Sequence, residues 1–222
     1  MALTKKDVAI GAFFGTVFSL IYAWMLVNVP EYRWFANIYI LSAITAWFII
    51  GVEWITRGEY PVWEVWGYVT KLKDLIYAPI CVIITIITCA VISKLMGMTI
   101  TLPFAVYTIS PNLIANIFII GICVPFYEET LFLGIIPPSI INCLLEYFPE
   151  MTENTALAIS AVISGFMFAV FHWFTYNAMI SMLIVLFIYR VVTVIIAYHV
   201  KSIGFAIIAH AIINTLAVIT SG

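Results

Sequence analysis

The amino-acid sequence predicts an all-α protein, a polytopic transmembrane helical bundle of about seven spans, within a range of six to eight. Of its 222 residues, 65% are hydrophobic and only 9% are charged, and the mean hydropathy is +1.16. Apolar runs long enough to cross a hydrocarbon core of about 30 Å recur along the chain. Because a soluble domain carries about 25% charged residues, a soluble protein is excluded. We expect residues 1–222 to form a single transmembrane domain in the cell membrane, with the lipid bilayer as its main partner.

The spans follow from the apolar runs and from the residues that interrupt them. Between the second and third runs, an aromatic and charged stretch predicts a short helix on the membrane surface at residues 62–73. Pro137 and Pro138 are expected to end the fourth span, and residues 139–148 then form a second, partly interfacial helix. The predicted spans are residues 8–29, 34–54, 75–96, 112–136, 155–175, 177–198 and 203–219.

The distribution of Lys and Arg predicts the orientation of the bundle. If the N-terminus is inside, the inner side collects Lys5, Lys6, Arg57, Lys71, Lys73 and Lys201, and the outer side has only Arg33 and Lys94. The N-terminus is therefore expected to be cytoplasmic. The basic residues are scattered singly, so no nucleic-acid partner is expected. This topology places Glu128 toward the inner side and His172 near the outer end of its span.

Five ionisable residues within the predicted spans are expected to lie away from the membrane interfaces: Glu128, Glu129, His172, Arg190 and His210. A charge at the bilayer centre costs about 2.5 to 3.5 kcal/mol on insertion scales, so these groups must face a cavity, pair with one another or lose their charge. Adjacent helical residues point about 100° apart. The two glutamates are therefore expected to have different tasks, one reactive and one supported by a neighbour.

These side chains predict hydrolysis of an acyl bond within the membrane. A carboxylate and an imidazole that share a water molecule form a general base. Asn214 follows His210 by four residues and shares its helix face, so an imidazole and an amide could together donate to an oxyanion. Zinc bound by Glu128, His172 and His210 is an alternative. It ranks second, because the His-Glu-x-x-His spacing of zinc proteases is absent.

Three short segments carry a family resemblance. Residues 128–134 read EETLFLG, residues 168–172 read FAVFH and residues 210–214 read HAIIN. In this order they resemble the motifs Glu-Glu-x-x-x-Arg, Phe-x-x-x-His and His-x-x-x-Asn of the CAAX prenyl endopeptidase and bacteriocin-processing (CPBP, abortive infection) family of intramembrane glutamate proteases. The resemblance covers residues 110–220, and the region before it matches only as generic spans.

The resemblance implies a helical bundle with a conical cavity and a mechanism without a covalent intermediate or a cofactor. It implies that Glu128 activates water with the help of His172, that His210 and Asn214 bind the oxyanion, and that Glu129 is a supporting carboxylate. The implied substrate is a membrane-associated peptide or a lipidated protein. Its identity is not legible in the sequence.

One position departs from the family pattern, because Leu133 stands where the first motif has Arg. We hypothesise that Arg190 supplies the missing cation to Glu129. The departure also favours an alternative function, a non-catalytic membrane protein of the same fold that binds a partner or confers immunity to a bacteriocin. A third hypothesis, an ion-coupled transporter, leaves His210 and Asn214 without a role.

Overall fold

The computed structural model describes residues 71–97, 113–173 and 179–221, and these residues are helical apart from short turns. Helix α1 spans Tyr77–Leu95 and follows a 3₁₀ turn at Leu72–Ile76. One long helix then runs through five segments: α2 (Leu113–Asn116), π1 (Ile117–Cys123), α3 (Val124–Glu129), π2 (Thr130–Ile135) and α4 (Ile136–Tyr147). The last three helices are α5 (Glu153–Phe171), α6 (Ile180–Val200) and α7 (Gly204–Ser221).

The structure confirms the predicted all-α membrane class. Four described helices are long and apolar enough to cross a membrane, and a shorter apolar helix follows them at Gly204–Thr220. The chain is therefore an integral membrane protein. The predicted spans at residues 8–29 and 34–54 lie outside the described residues, as does nearly all of the surface helix predicted at residues 62–73. The count of about seven spans is thus supported only loosely.

The prediction that Pro137 and Pro138 end the fourth span is wrong. Both prolines lie in the first turn of α4, where the fixed backbone angle of the proline ring fits the helix. The preceding π2 segment joins α3 to α4 without a break, and the resulting span covers Ile120–Tyr147. The separate interfacial helix predicted at residues 139–148 is therefore the end of this span, and its first residue, Ser139, is buried.

The unbroken helix explains how Glu128 and His172 meet. Nineteen residues separate Glu128 from Tyr147 at the end of α4, and nineteen separate Glu153 at the start of α5 from His172. At 1.5 Å per residue, both side chains lie about 28 Å along their helices from the connecting loop. The predicted topology placed Glu128 and His172 at opposite depths because the fourth span was predicted to end at the prolines.

Helix α5 packs against both α4 and α6, while α7 packs against π1 and α1. A Cβ atom at Gly165 would lie 3.0 Å from side-chain atoms of Phe187 and Val191, so glycine permits the close contact of α5 with α6. Thr152 caps the start of α5 by accepting a hydrogen bond from the Thr155 amide. The helix ends at Phe171, four residues before the predicted end at residue 175.

Candidate active site

Five ionisable side chains from four helical segments meet in the interior. Glu128 and Glu129 come from α3, His172 follows the last residue of α5, and Arg190 and His210 come from α6 and α7. All five are buried, and Glu129 and Arg190 are fully so. The cluster thus brings together the glutamates, histidines and arginine that the sequence singled out.

Glu129 is the anion at the centre of a charged network. Arg190 donates from Nη1 to Oε2 at 2.6 Å and from Nη2 to Oε1 at 3.0 Å. This two-point geometry is the strong form of the Arg–carboxylate pair. His210 Nδ1 lies 2.8 Å from Oε1 of the same carboxylate. The predicted contact between Arg190 and Glu129 is therefore present.

Arg190 is also held by an aromatic ring that sequence reasoning passed over. Its guanidinium carbon lies 4.0 Å from the centroid of the Phe168 ring, within the range of a cation–π contact. Phe168 opens the segment FAVFH, so the motif itself carried a signal for this residue. Leu133 is fully buried in the surrounding apolar core, where it contributes no charge.

His172 presents one ring nitrogen to Glu128. Its Nδ1 lies 2.8 Å from the carbonyl oxygen of Phe168. Because a carbonyl only accepts hydrogen bonds, Nδ1 carries the hydrogen and donates. The other nitrogen, Nε2, lies 3.4 Å from Glu128 Oε2. The ring is also packed against Phe168 and Phe171, with centroid distances of 4.5 and 5.2 Å.

His210 faces both glutamates. The Glu129 carboxylate is paired with Arg190 and accepts hydrogen bonds, so the adjacent His210 Nδ1 donates to it. The opposite nitrogen, Nε2, lies 3.8 Å from Glu128 Oε2. Two imidazoles with fixed orientation therefore present Nε2 to the same oxygen of Glu128. Within the described part of the chain, that oxygen has no hydrogen-bond partner.

Asn214 lies on the same helix as His210, but its amide points to π1. Its Nδ2 donates to the carbonyl oxygen of Ile120 at 3.0 Å. No hydrogen bond joins it to Glu128, His172 or His210. One of its two amide hydrogens is thus engaged by the backbone.

The described residues contain no group of three or more His, Cys, Asp and Glu side chains arranged to hold a metal ion. Glu128 Oε2 lies 3.4 Å from His172 Nε2 and 3.8 Å from His210 Nε2. The geometry gives the zinc alternative no added support. Zinc bound by Glu128, His172 and His210 remains a hypothesis that removal of metal ions would test.

Comparison with known proteins identifies the region that contains this cluster. Residues 110–216 match the family described as Type II CAAX prenyl endopeptidase Rce1-like. The chain carries an Rce1-like domain. Its bounds agree closely with residues 110–220, the region in which the three motifs were recognised, and they enclose all five ionisable residues of the cluster. No curated protein and no solved structure matches the chain.

The Rce1-like domain accounts for just under half of the 222 residues. The match confirms, for this region, the family resemblance that the three motifs carry. The chain departs from the family motif at Leu133, and in this structure the cation beside Glu129 comes from Arg190 on α6.

Proposed function

We propose that the Rce1-like domain is an intramembrane endopeptidase that hydrolyses a peptide bond in a membrane-associated peptide or lipidated protein. The observation that carries the proposal is the position of Glu128 Oε2, which is buried and faced by Nε2 of His172 at 3.4 Å and of His210 at 3.8 Å. A carboxylate held in this way suits a general base. The N-terminus is proposed to be cytoplasmic, with the bilayer as the main partner.

In the proposed reaction, water loses a proton to Glu128 while its oxygen bonds to the peptide carbonyl carbon. His172 positions this water through Nε2. The carbonyl oxygen becomes an oxyanion, which accepts hydrogen bonds from His210 Nε2 and from the second amide hydrogen of Asn214. When the intermediate collapses, the C–N bond breaks and Glu128 returns the proton to the leaving amine. No covalent bond to the protein forms.

The charge count of the cluster supports this role for His210. Two carboxylates and one guanidinium leave one uncompensated negative charge if both imidazoles are neutral. An uncompensated charge is costly within a bilayer. One further proton on His210 makes the cluster neutral and gives Nε2 the hydrogen that an oxyanion requires. Glu129, which accepts from Nδ1 at 2.8 Å, is then the counter-ion of the imidazolium.

A non-catalytic protein of the same fold is the competing proposal, and Leu133 is the residue that favours it. A glutamate without its cationic partner would leave the cluster incomplete. Arg190 already forms the ion pair with Glu129, at 2.6 Å. The main structural reason for a non-catalytic protein, a Glu129 without a cationic partner, is therefore absent.

Cleavage assays in H₂¹⁸O test the proposed reaction. The purified chain in detergent is incubated with prenylated and unprenylated peptide libraries in the presence of hydroxylamine, and products are identified by mass spectrometry. We expect new C-termini that carry one ¹⁸O atom and no hydroxamates, because water attacks directly. Hydroxamate products would indicate an acyl-enzyme. If no peptide is cleaved in excess of a Glu128→Gln control, the non-catalytic proposal takes precedence.

Removal of metal ions separates the water mechanism from the zinc alternative. We expect unchanged activity after dialysis against a strong chelator, since the proposed base is Glu128 itself. The measurement is the cleavage rate before and after dialysis, with bound zinc determined by mass spectrometry of the metal. A loss of activity that added Zn²⁺ restores would overturn the metal-free mechanism and assign zinc to Glu128, His172 and His210.

A further inference from the structure

Two π-helical segments flank the glutamate-bearing helix α3, and each runs into a proline. In a π-helix the amide of residue i+5 donates to the carbonyl of residue i. The Ile136 amide follows this pattern by donating to the Leu131 carbonyl in π2. The next carbonyl in that register belongs to Phe132, and the residue five positions later is Pro137, which has no amide hydrogen.

The same arrangement occurs in π1. The residue five positions after Ile120 is Pro125, so the Ile120 carbonyl also lacks the amide that would continue the π pattern. Each of these two carbonyls accepts a hydrogen bond from a different helix. Asn214 Nδ2 on α7 donates to Ile120 at 3.0 Å, and Ser164 Oγ on α5 donates to Phe132 at 2.8 Å.

The close approach of α7 to π1 is part of this arrangement. A Cβ atom at Gly121 would lie 2.5 Å from Thr215 Oγ1, so the Thr215 hydroxyl would have to move to admit a side chain there. Glycine beside Ile120 thus lets the backbone of π1 come within reach of Asn214. Phe132 is fully buried and Ile120 is half-buried. Because a carbonyl shielded from water without a partner is costly, the two donors stabilise turns that would otherwise revert to ordinary α-helix or open.

We infer that Asn214 and Ser164 are positioning residues that replace the missing amides of Pro125 and Pro137. They hold the π segments on both sides of Glu128 and Glu129, and so fix the direction in which the two carboxylates point. This role of Asn214 is additional to its proposed oxyanion contact. The catalytic part of the inference rests on the proposed function, whereas the hydrogen-bond replacement does not.

Double substitution tests the inference, because alanine restores the amide that proline lacks. Asn214→Ala is made in the wild type and in Pro125→Ala, and Ser164→Ala is made in the wild type and in Pro137→Ala. The mismatched pairs, Asn214→Ala with Pro137→Ala and Ser164→Ala with Pro125→Ala, are the controls. Melting temperature in detergent and kcat are measured for each variant.

We expect Asn214→Ala to lower kcat in both backgrounds, because the proposed oxyanion contact is lost in each, but the loss should be about threefold or more smaller with alanine at position 125, since a restored amide satisfies the carbonyl. The loss of melting temperature should shrink in the same pair. Ser164→Ala should be rescued only by Pro137→Ala. If Asn214→Ala yields no folded protein, recovery of folded protein in the double variant is the supporting result, and equal failure of both is the opposing one.

Equal losses in both backgrounds would overturn the inference. If the double variants recover the melting temperature but not kcat, the two hydrogen bonds have a structural role only, and their role in orienting Glu128 is overturned. If the wild type cleaves no peptide, the proposed function fails. The coupling in melting temperature then still decides whether these donors replace the proline amides.

Discussion

Glu128→Gln should abolish peptide hydrolysis, with a loss in kcat of about 10³-fold or more, near the upper range for removal of a general base. Glutamine keeps the shape of the side chain but cannot take a proton from water. The exchange is made at a buried site, so thermal unfolding in detergent must be recorded alongside kcat and KM. We expect KM to change little, because the substitution removes an interaction of the transition state.

Glu150→Gln is the matched control for this substitution. It removes the same functional group from an exposed position in the loop between α4 and α5. Its activity and melting temperature should equal those of the wild type. If Glu128→Gln is as active as the Glu150→Gln control, another residue must be the general base. Loss of both activity and folded protein would instead point to a structural role for Glu128.

The sequence was sufficient to find the cluster, because ionisable residues inside apolar spans are costly and therefore few. Glu128, Glu129 and Arg190 were recognised on that basis, and the three motifs then grouped them with the histidines. The partner of Glu129 was also predictable. Arg190 was the remaining cation deep in a span once Leu133 had taken the place of the motif arginine.

The geometry around the prolines was not predictable from the same rules. Pro137 normally ends or bends a helix, but π2 accommodates it and Ser164 supplies the missing donor from another helix. Asn214 was paired with His210 from its spacing alone. Its contact with the Ile120 carbonyl depends on the π register, which residue patterns do not reveal. The stacking of Arg190 on Phe168 likewise depends on how α5 and α6 pack.

Arg190→Leu should have the largest effect on stability. Glu129 is fully buried, and removal of one partner from a buried ion pair costs about 3 to 5 kcal/mol because the other charge is left uncompensated. Among the described residues, His210 then remains as the single side-chain donor to Glu129. We expect a marked decrease in melting temperature and loss of peptide cleavage.

Two further variants on α6 separate charge from packing. Thr193→Val removes a buried hydroxyl that donates to the Arg190 carbonyl at 3.0 Å, and it should cost only about 1 kcal/mol. Arg190→Lys keeps the charge but loses the two-point contact and the planar stacking surface. It should fall between the wild type and Arg190→Leu in both melting temperature and kcat. Wild-type stability in Arg190→Leu would show that Glu129 is not an ionised partner.

Relocation of the cation tests whether Arg190 performs the task of the motif arginine. Leu133→Arg alone places a second cation in a fully buried apolar position, so it should destabilise the protein. Combined with Arg190→Leu, the same arginine can pair with Glu129 four residues earlier on the long helix. The double variant should therefore be more stable and more active than Arg190→Leu alone. Additive losses would mean that the cation must come from α6, because only that helix brings the guanidinium to both Glu129 and the Phe168 ring.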